Sequence, residues 1–291
     1  MIEFSTIQDL IDLATQHNST IGHIVLQWEA ESSEKPVDIL RQKMKEYWIV
    51  MKQSMTHGLT HDIQSMTGLT GGDARRVNTT RPTLISDTLK QAIARSLAVA
   101  EVNASMKKIV AAPTAGSSGI IPAALYVTLN KLHLPEDQVI EALFTASGIG
   151  VVIANHAPIS GAEGGCQAEC GVASAMATAA IVELAGGSPN QMGHAVALSL
   201  KNMLGLVCDP VAGLVEIPCI KRNVIGVVNA IVSAELALAG VQSVIPVDEV
   251  IQALNDVSKR LPIELKETAC GGLAITPTGR ALKTKFQHAR R

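Results

Sequence analysis

The sequence predicts an all-α protein, and two observations support this prediction. Apolar residues recur at helical spacing along most of the chain, and Gly and Pro mark the joints between the periodic runs. Apolar residues make up 47% of the sequence but aromatic residues only 2%, so the core must consist mainly of Ala, Val, Ile and Leu. Side chains of this size let helices approach one another closely. We therefore expect a compact bundle of small-residue-rich helices joined by irregular loops.

The first part of the chain, residues 1–53, predicts an N-terminal helical arm. Apolar residues between positions 7 and 14 recur at helical spacing, and further periodic runs cover 21–28 and 37–55. From residue 54 the sequence is rich in Gly and Thr, and its apolar residues show no helical spacing. Residues 54–83 are therefore expected to form a long polar loop, and loops of this length inside a compact domain are usually functional or mobile.

The remaining part, residues 84–291, predicts one continuous helical domain. A short apolar run at 109–113 predicts either a strand or a buried extended segment. A chain of 291 residues suits one large domain or a main domain with a smaller arm. The expected helices of this part cover 84–106, 120–132, 136–153, 171–185, 189–204 and 223–241.

Charge and hydropathy exclude several classes of protein. The chain has 24 basic and 26 acidic residues, which argues against a protein that binds nucleic acid or an anionic membrane surface. Its start lacks the basic region and apolar run of a targeting segment. The most membrane-like stretch, 224–245, is interrupted by Asn229, Glu235 and Gln242, which favours a buried core helix or helix pair over a membrane span. We expect a cytoplasmic protein.

Five cysteines are the most informative residues. An odd number without a signal peptide favours reduced thiols, some of them metal ligands, over a disulfide framework. Packing is the favoured interpretation for Cys170 and Cys270. Metal ligation is favoured more for Cys208 and Cys219, which lie beside Pro and charged residues in irregular chain. The separations of 42 residues from Cys166 to Cys208 and 11 from there to Cys219 fit neither a zinc ribbon nor a ferredoxin, so spacing leaves the metal open.

A second candidate site is the segment APTAGSSGIIPA at 112–123. Ser117, Ser118 and Gly119 precede an apolar run, and Pro122 lies in the first turn, where its missing N–H costs nothing. Free N–H groups and two hydroxyls at a helix N-terminus suit a carboxylate or a phosphate. Ordinary N-capping by serine explains the same pattern, and both interpretations stay open.

Three histidines are further candidates. His57 and His61 are four residues apart and would share one face of a helix, but Gly58 and the surrounding Thr- and Gly-rich sequence favour a polar loop. His156 ends an apolar run shortly before Cys166. It is either a site acid or base or a helix C-terminal cap.

Four motifs together resemble a known family. They are SGAEGGCQAE at 160–169, APTAGSSGIIPA at 112–123, the Cys208 and Cys219 stretch ending in KRN, and KETACGGLA at 266–274. In the residues, order and spacing of these motifs, the chain resembles the alpha chain of the iron–sulfur-dependent L-serine dehydratases. These are the family members that consist of separate alpha and beta chains.

This resemblance implies a cofactor and a reaction. The family uses a [4Fe–4S] cluster held by three cysteines, which correspond to Cys166, Cys208 and Cys219, and one iron stays open to the substrate. L-serine loses its β-hydroxyl and then ammonia, which gives pyruvate, and an open iron is a suitable Lewis acid for that oxygen. No lysine lies in a context that suggests a pyridoxal site. The implied substrate-binding residues are Thr114, Gly116, Ser117, Ser118, Asn155, Lys221 and Arg222, and His156 is the candidate catalytic residue.

The sequence departs from the family pattern in two ways. Cys170 stands where an aliphatic residue is more common, and a fourth thiolate would close the cluster. The Ser-Ser-His-Thr motif of the family's other domain is absent from this sequence, so we expect a beta chain as partner. The alternatives are a cysteine desulfidase-like lyase acting on another β-substituted amino acid, and a non-catalytic subunit that carries a cluster.

Overall fold

The computed structural model describes residues 2–289 and confirms the all-α prediction. In this part of the chain helices alternate with loops and no β-strand forms. A π-helix, Gln167–Gly171, and three 3₁₀ turns, Val211–Gly213, Ile263–Leu265 and Gly272–Ile275, interrupt the regular pattern. The α-helices are α1 (Ile7–Gln16), α2 (Ile21–Ser33), α3 (Val37–Thr60), α4 (Asp73–Thr79), α5 (Asp87–Ala104), α6 (Ile120–Leu132), α7 (Gln138–His156), α8 (Gly161–Gly164), α9 (Val172–Leu184), α10 (Pro189–Met203), α11 (Cys219–Leu238), α12 (Val247–Arg260) and α13 (Pro277–Ala289).

Helix α9 lies at the centre of the fold. It packs against α6, α7, α10 and α11, and nearly all of its residues are buried. A helix that is apolar on every side belongs in a core. Alanines such as Ala173, Ala177 and Ala180, each with 0% exposed surface, let the neighbouring helices approach α9 closely. A core with few aromatic side chains therefore allows close contact between helices.

The N-terminal helices share this core. Thr6 caps α1 through a reciprocal pair of hydrogen bonds with Asp9, the pattern that fixes a helix start. The amide of Ile7 donates to Asp248 Oδ1 on α12 at 2.8 Å. The amide of Gly22 on α2 donates to Glu183 Oε2 on α9 at 3.1 Å. Residues 1–53 are therefore helical as expected, and their buried side chains belong to the main hydrophobic core.

The expectation of a continuous loop over 54–83 is wrong in part. Helix α3 continues to Thr60, and α4 occupies Asp73–Thr79. Gly58 favoured a loop in the sequence, but in the structure it is the point where α3 touches α5. A Cβ atom at this position would lie 2.5 Å from the carbonyl oxygen of Ala98. Glycine is needed here for close packing between two helices.

The same extension of α3 corrects the interpretation of His57 and His61. Both lie at the end of this helix, and their rings stack with 4.1 Å between the centroids. Lys107 Nζ lies 2.9 Å from His57 Nε2. Desolvation, followed by the charges of Lys107 and His61, lowers the pKa of His57 below its ordinary value.

Other boundaries differ from the expected ones. Helix α11 begins at Cys219, four residues earlier than predicted, because Pro218 directly precedes its first turn and does not break it. Helices α12 and α13 were not predicted. Residues 109–113 form no strand, and Ile109 and Val110 are partly buried against the core.

In the described part of the chain, α7 alone is long and apolar enough to span a membrane. This is a statement about its length and composition, and 61% of the apolar window is buried inside the fold. Helix α7 packs against α2 and α9, as a core helix does. The stretch 224–245 is divided, since α11 ends at Leu238 and a turn leads to α12.

Candidate active site

Four cysteine side chains lie in the interior, and they come from three segments. Cys166 precedes the π-helix that contains Cys170, Cys208 lies in the loop after α10, and Cys219 is the first residue of α11. Their exposed fractions are between 1% and 4%, and all four thiols are free. Cys270 is exposed.

The motif at 266–274 holds the segment that carries Cys208. The Cys208 amide donates to the Leu265 carbonyl oxygen and the Glu267 amide donates to the Cys208 carbonyl oxygen, both at 2.8 Å. These two bonds form an isolated parallel bridge in an otherwise helical protein. The bridge fixes the backbone on both sides of the thiol.

Arg222 holds the same segment from the other direction. Its guanidinium donates to the Val207 carbonyl oxygen at 2.7 Å and to Asp209 Oδ1 at 2.8 Å. Both side chains of this ion pair are largely buried. Lys221 lies one residue earlier and pairs with Asp73 at 2.6 Å at a more exposed position. Both cations thus have protein partners, and their contact with a substrate stays a prediction.

The thiols influence one another electrostatically. Cys166 Sγ lies 3.6 Å from Cys170 Sγ. Hydrogen bonds shared with Cys170 and Cys208 lower the pKa of Cys166 well below the ordinary value, and the charge of Arg222 acts in the same direction. The pKa values of Cys170 and Cys208 are raised because each shares a hydrogen bond with Cys166 and is buried. These shifts favour the thiolate form at Cys166 over the other two residues.

The hydroxyl-rich loop before α6 is ordered by its own hydrogen bonds. Ser117 Oγ lies 3.2 Å from Thr114 Oγ1, and Ser118 Oγ donates to the Ala115 carbonyl oxygen at 2.7 Å. Both serines are almost fully buried. The interpretation of ordinary serine N-capping is wrong, since Gly119 occupies the N-cap position and no side chain caps α6.

Asn223 joins this loop to the third cysteine and was missed by the sequence analysis. Its Nδ2 donates to the carbonyl oxygens of Gly116 at 2.7 Å and Cys219 at 3.0 Å. Its Oδ1 accepts from the Gly119 amide at 3.0 Å. The only signal for this residue was its place at the end of the KRN motif.

Glu169 is a second residue that the sequence analysis missed. Its carboxylate accepts a hydrogen bond from the Thr114 hydroxyl, and a Cβ atom at Gly116 would lie 2.6 Å from its Oε1. Burial raises the pKa of Glu169 to about 7, with a further contribution from the charges of Cys166 and Glu267, although the Thr114 hydrogen bond opposes the shift. The side chain can therefore exchange a proton near neutral pH.

Gly161 marks the point where the Cys208 thiol and two carboxylates converge. A Cβ atom there would lie 2.9 Å from Cys208 Sγ, 3.2 Å from Glu267 Oε2 and 3.3 Å from Glu169 Oε2. These atoms come from three of the four motifs. The motifs thus form one centre in space, although they are far apart in sequence.

Two predicted site residues are not brought to this centre. Asn155 and His156 are exposed on the last turn of α7. His156 Nε2 lies 2.8 Å from the carbonyl oxygen of Ser5. Across the described residues no hydrogen bond joins either side chain to the thiols.

A prominent cavity lies away from this centre. A cavity of about 580 Å³ lies between α3 and the segment at 108–112, and its lining includes Met44, Met51 and Met176. No cysteine contributes to this lining. Its lining mixes apolar with polar and charged side chains and includes none of the thiols or carboxylates described above.

The donor set suits an iron–sulfur cluster better than a single ion. Among residues 2–289, no three His, Cys, Asp or Glu side chains are placed to hold one metal ion. A cluster makes a different demand, because each thiolate binds its own iron atom. The three buried thiols of Cys166, Cys208 and Cys219 are the type of donor that such a cluster takes.

Comparison with known proteins identifies the family of the chain. The family model for the serine dehydratase alpha chain matches residues 16–274. The chain is 47% identical over 286 residues to the probable L-serine dehydratase, alpha chain, of Bacillus subtilis, which covers 97% of this chain and 95% of that protein. It is 43% identical over 285 residues to the L-serine dehydratase, alpha chain, of Peptoniphilus asaccharolyticus, with 97% and 98% covered. It is 38% identical over 283 residues to the L-serine dehydratase of Streptomyces coelicolor, with 94% of this chain but 61% of that protein covered.

The fold and the site define an all-α protein in which buried thiols and a hydroxyl-rich loop form one centre. The chain belongs to the serine dehydratase alpha chain family, since the family model covers most of its length. The resemblance inferred from the four motifs is thereby confirmed.

Proposed function

We propose that the chain is the alpha subunit of a cytoplasmic L-serine dehydratase that converts L-serine to pyruvate and ammonia. The observation that carries the proposal is the convergence at Gly161, where Cys208 Sγ and the carboxylates of Glu169 and Glu267 lie within 3.3 Å of one point. An elimination needs a site for the departing hydroxyl and a group that takes the α-proton, and both kinds of group meet there. The names of the relatives support serine as the substrate.

We propose Cys166, Cys208 and Cys219 as the ligands of a [4Fe–4S] cluster. When bound, the cluster supplies a Lewis-acidic iron that assists the departure of the β-hydroxyl. The protein fixes the ligands on three segments. The bridge to 265–267 and the Arg222 contacts hold Cys208, and Asn223 holds the carbonyl oxygen of Cys219.

The hydroxyl-rich loop is the proposed site for the serine carboxylate. Thr114, Ser117 and Ser118 place three hydroxyls before the N-terminus of α6, where backbone N–H groups favour an anion. Asn223 fixes this loop relative to Cys219, so a carboxylate bound here would have a defined distance to the thiol centre. Binding by the loop would orient the α-carbon of the substrate.

Glu169 is the proposed general base. Its pKa of about 7 suits a group that removes a proton near neutral pH, and Thr114 orients its carboxylate. Glu169 would hold the α-proton on one carboxylate oxygen and give it up to water after the reaction. We prefer it to His156 in this role because His156 is exposed and faces the carbonyl oxygen of Ser5.

A beta chain is the proposed partner. The relatives from Bacillus subtilis and Peptoniphilus asaccharolyticus are called alpha chains, and the relative from Streptomyces coelicolor is longer than this chain. Exposed apolar side chains offer a surface for such a partner. Met66 and Met106 are 73% and 78% exposed, and the Met66 amide donates to the Ala104 carbonyl oxygen at 3.1 Å.

The proposed function is tested on chain purified without oxygen, with and without its beta chain. Iron, sulfide and pyruvate formed from L-serine are measured on the same sample. We expect iron and sulfide in the isolated chain and pyruvate once the partner is present. Sulfide released from L-cysteine in preference to pyruvate from serine would indicate a desulfidase. Bound cluster without activity in the presence of the partner would indicate a non-catalytic subunit.

A further inference from the structure

We propose that Cys166 and Cys170 are a reversible disulfide site, which closes when the chain lacks its cluster and meets hydrogen peroxide. The two sulfur atoms lie 3.6 Å apart, and both side chains are buried, with exposed fractions of 1% and 2%. The proposed ligand set leaves Cys170 without a function, although its thiol touches that of a ligand. This juxtaposition is the observation that carries the inference.

The geometry requires only a small movement. A disulfide has an S–S distance of about 2.05 Å, so sulfurs that start 3.6 Å apart must approach by about 1.5 Å. Cys166 lies at the start of the π-helix and Cys170 within it, so the bond would close a short loop inside one segment. No other helix has to move.

Other pairings are less accessible. Cys208 lies on a segment held by the two bridge hydrogen bonds and by Arg222, so its backbone is fixed independently of Cys166. Cys219 lies in the first turn of α11, where Asn223 accepts and donates hydrogen bonds around it. Cys270 is exposed and its thiol donates to the Thr268 carbonyl oxygen.

The reaction balances with hydrogen peroxide as the oxidant. One thiol attacks a peroxide oxygen, the O–O bond breaks, a sulfenic acid forms and the first water leaves. The second thiol then attacks that sulfur, the S–O bond breaks, the S–S bond forms and the second water leaves. The two sulfurs lose two electrons and the two peroxide oxygens gain them. A dithiol reverses the reaction by thiol–disulfide exchange.

The consequence for the cofactor rests on the proposed function. If Cys166 is a ligand, the disulfide stores it in a form that a reductant can recover, since sulfinic and sulfonic acids are not recovered in this way. The chain could then rebuild its cluster after oxygen damage. The disulfide itself does not depend on dehydratase activity.

The experiment uses the full chain freed of iron by a chelator, treated with hydrogen peroxide and then blocked with an alkylating agent. A protease specific for glutamyl bonds cuts after Glu163, Glu169 and Glu183. This cleavage separates the two cysteines into peptides 164–169 and 170–183, which contain no other cysteine. Mass spectrometry should detect these peptides joined after peroxide and separate after dithiothreitol.

Two variants complete the test. In Cys170→Ala, Cys166 should be converted to sulfinic and sulfonic acid, and iron binding should no longer return after dithiothreitol. Cys270→Ser is the matched control and should form the linked peptides as the natural chain does. Both thiols alkylated after peroxide, or Cys166 joined to Cys208, would overturn the inference. A chain that dehydrates serine but forms no linked peptides would refute the disulfide and leave the proposed function intact.

Discussion

The hydroxyl of Thr114 donates a hydrogen bond to the carboxylate of Glu169, which lies 55 residues further along the chain. This contact joins the hydroxyl-rich loop before α6 to the segment that carries Cys166. It is possible because Gly116 has no side chain, since a Cβ atom there would lie 2.6 Å from Glu169 Oε1. The two motifs therefore lie together, and the Glu169 carboxylate lies between them.

Replacing Glu169 by Gln should lower kcat by roughly 10²–10⁴-fold, the usual contribution of a general base. In the natural chain kcat should fall as the pH drops through about 7, because the carboxylate becomes protonated there. The variant should lose this dependence. The measurement is pyruvate formation against pH by the cluster-loaded complex.

Glu183→Gln is the matched control, since desolvation also raises the pKa of this half-buried carboxylate on α9 to about 7. It contacts Thr145 and Gly22, away from the thiols. Its variant should keep the activity profile of the natural chain. Equal losses of kcat in the two variants would remove Glu169 from the chemistry.

Glu183 should instead affect the pH dependence of stability. Burial raises its pKa from 4.5 to about 7, so the folded chain holds the proton more tightly than the unfolded chain. This contribution is fully present below the unfolded pKa and is lost as the pH rises through the folded pKa. From about pH 5 to about pH 8 it should reduce the free energy of unfolding by roughly 2–3 kcal/mol.

Urea unfolding of the natural chain and of Glu183→Gln at both pH values measures this contribution. The variant should lose less stability than the natural chain by the stated amount, because the other titrating groups cancel in the comparison. Glu235→Gln, at an exposed position on α11, should behave as the natural chain does. Parallel pH profiles for all three proteins would contradict the assignment.

Gly161→Ala should weaken iron binding without unfolding the chain. The added methyl group would lie 2.9 Å from Cys208 Sγ, closer than a carbon and a sulfur normally approach, so the thiol must move. We expect a severalfold lower iron content after anaerobic reconstitution, with an unchanged helical circular dichroism spectrum. Gly171→Ala is the control, since its methyl group would meet only Met203, at 3.2 Å or more. Full iron binding by Gly161→Ala would argue against Cys208 as a ligand.

Replacing any one of Cys166, Cys208 and Cys219 by Ser should remove the cluster and the activity together, because three thiolates leave no spare ligand. Replacing Cys170 by Ser should leave iron bound in chain prepared without oxygen. Iron and sulfide content with visible absorbance measures the outcome. Loss of iron in Cys170→Ser with retention in Cys166→Ser would replace the proposed ligand set by another.

The sequence predicted those parts of the candidate site that lie in short, recognisable motifs. The cysteines and the hydroxyl-rich loop were visible because residue type and local order identify them. Glu169 and Asn223 could not be recognised from the sequence, because their place in the candidate site depends on contacts with Thr114 and Gly116, which are distant in sequence. Only tertiary structure brings these pairs together.

The sequence also predicted some parts of the fold and not others. Helical periodicity predicted most of the helices, since it records which face each one buries. It failed at Gly58, where glycine serves close contact between α3 and α5 and does not end a helix. Helix propensity is a property of the residue alone, whereas at this position the close packing of α5 against α3 determines that glycine is present.

The last prediction concerns the surface through which a beta chain completes the site. Met66 and Met106 are both exposed, and the Met66 amide donates to the carbonyl oxygen of Ala104, two residues before Met106. Thr67 donates to Glu216 Oε2 at 2.5 Å. Glu216 is buried and lies three residues before Cys219, so a partner seated on the two methionines would lie near this proposed cluster ligand. Such cover would exclude water from the site and strengthen its electrostatic interactions.

The double variant Met66→Asp and Met106→Asp should therefore keep its iron but lose stimulation by the beta chain, because two charges would be buried in an apolar contact. Size-exclusion chromatography of the mixture and pyruvate formation with added partner measure the two effects. Leu84→Asp is the control, since Leu84 is 94% exposed and precedes α5, whereas Met106 follows it. The 18 residues of α5 separate these positions by about 27 Å. Full activity of the isolated chain, unchanged by any partner, would mean that the site is complete within this chain.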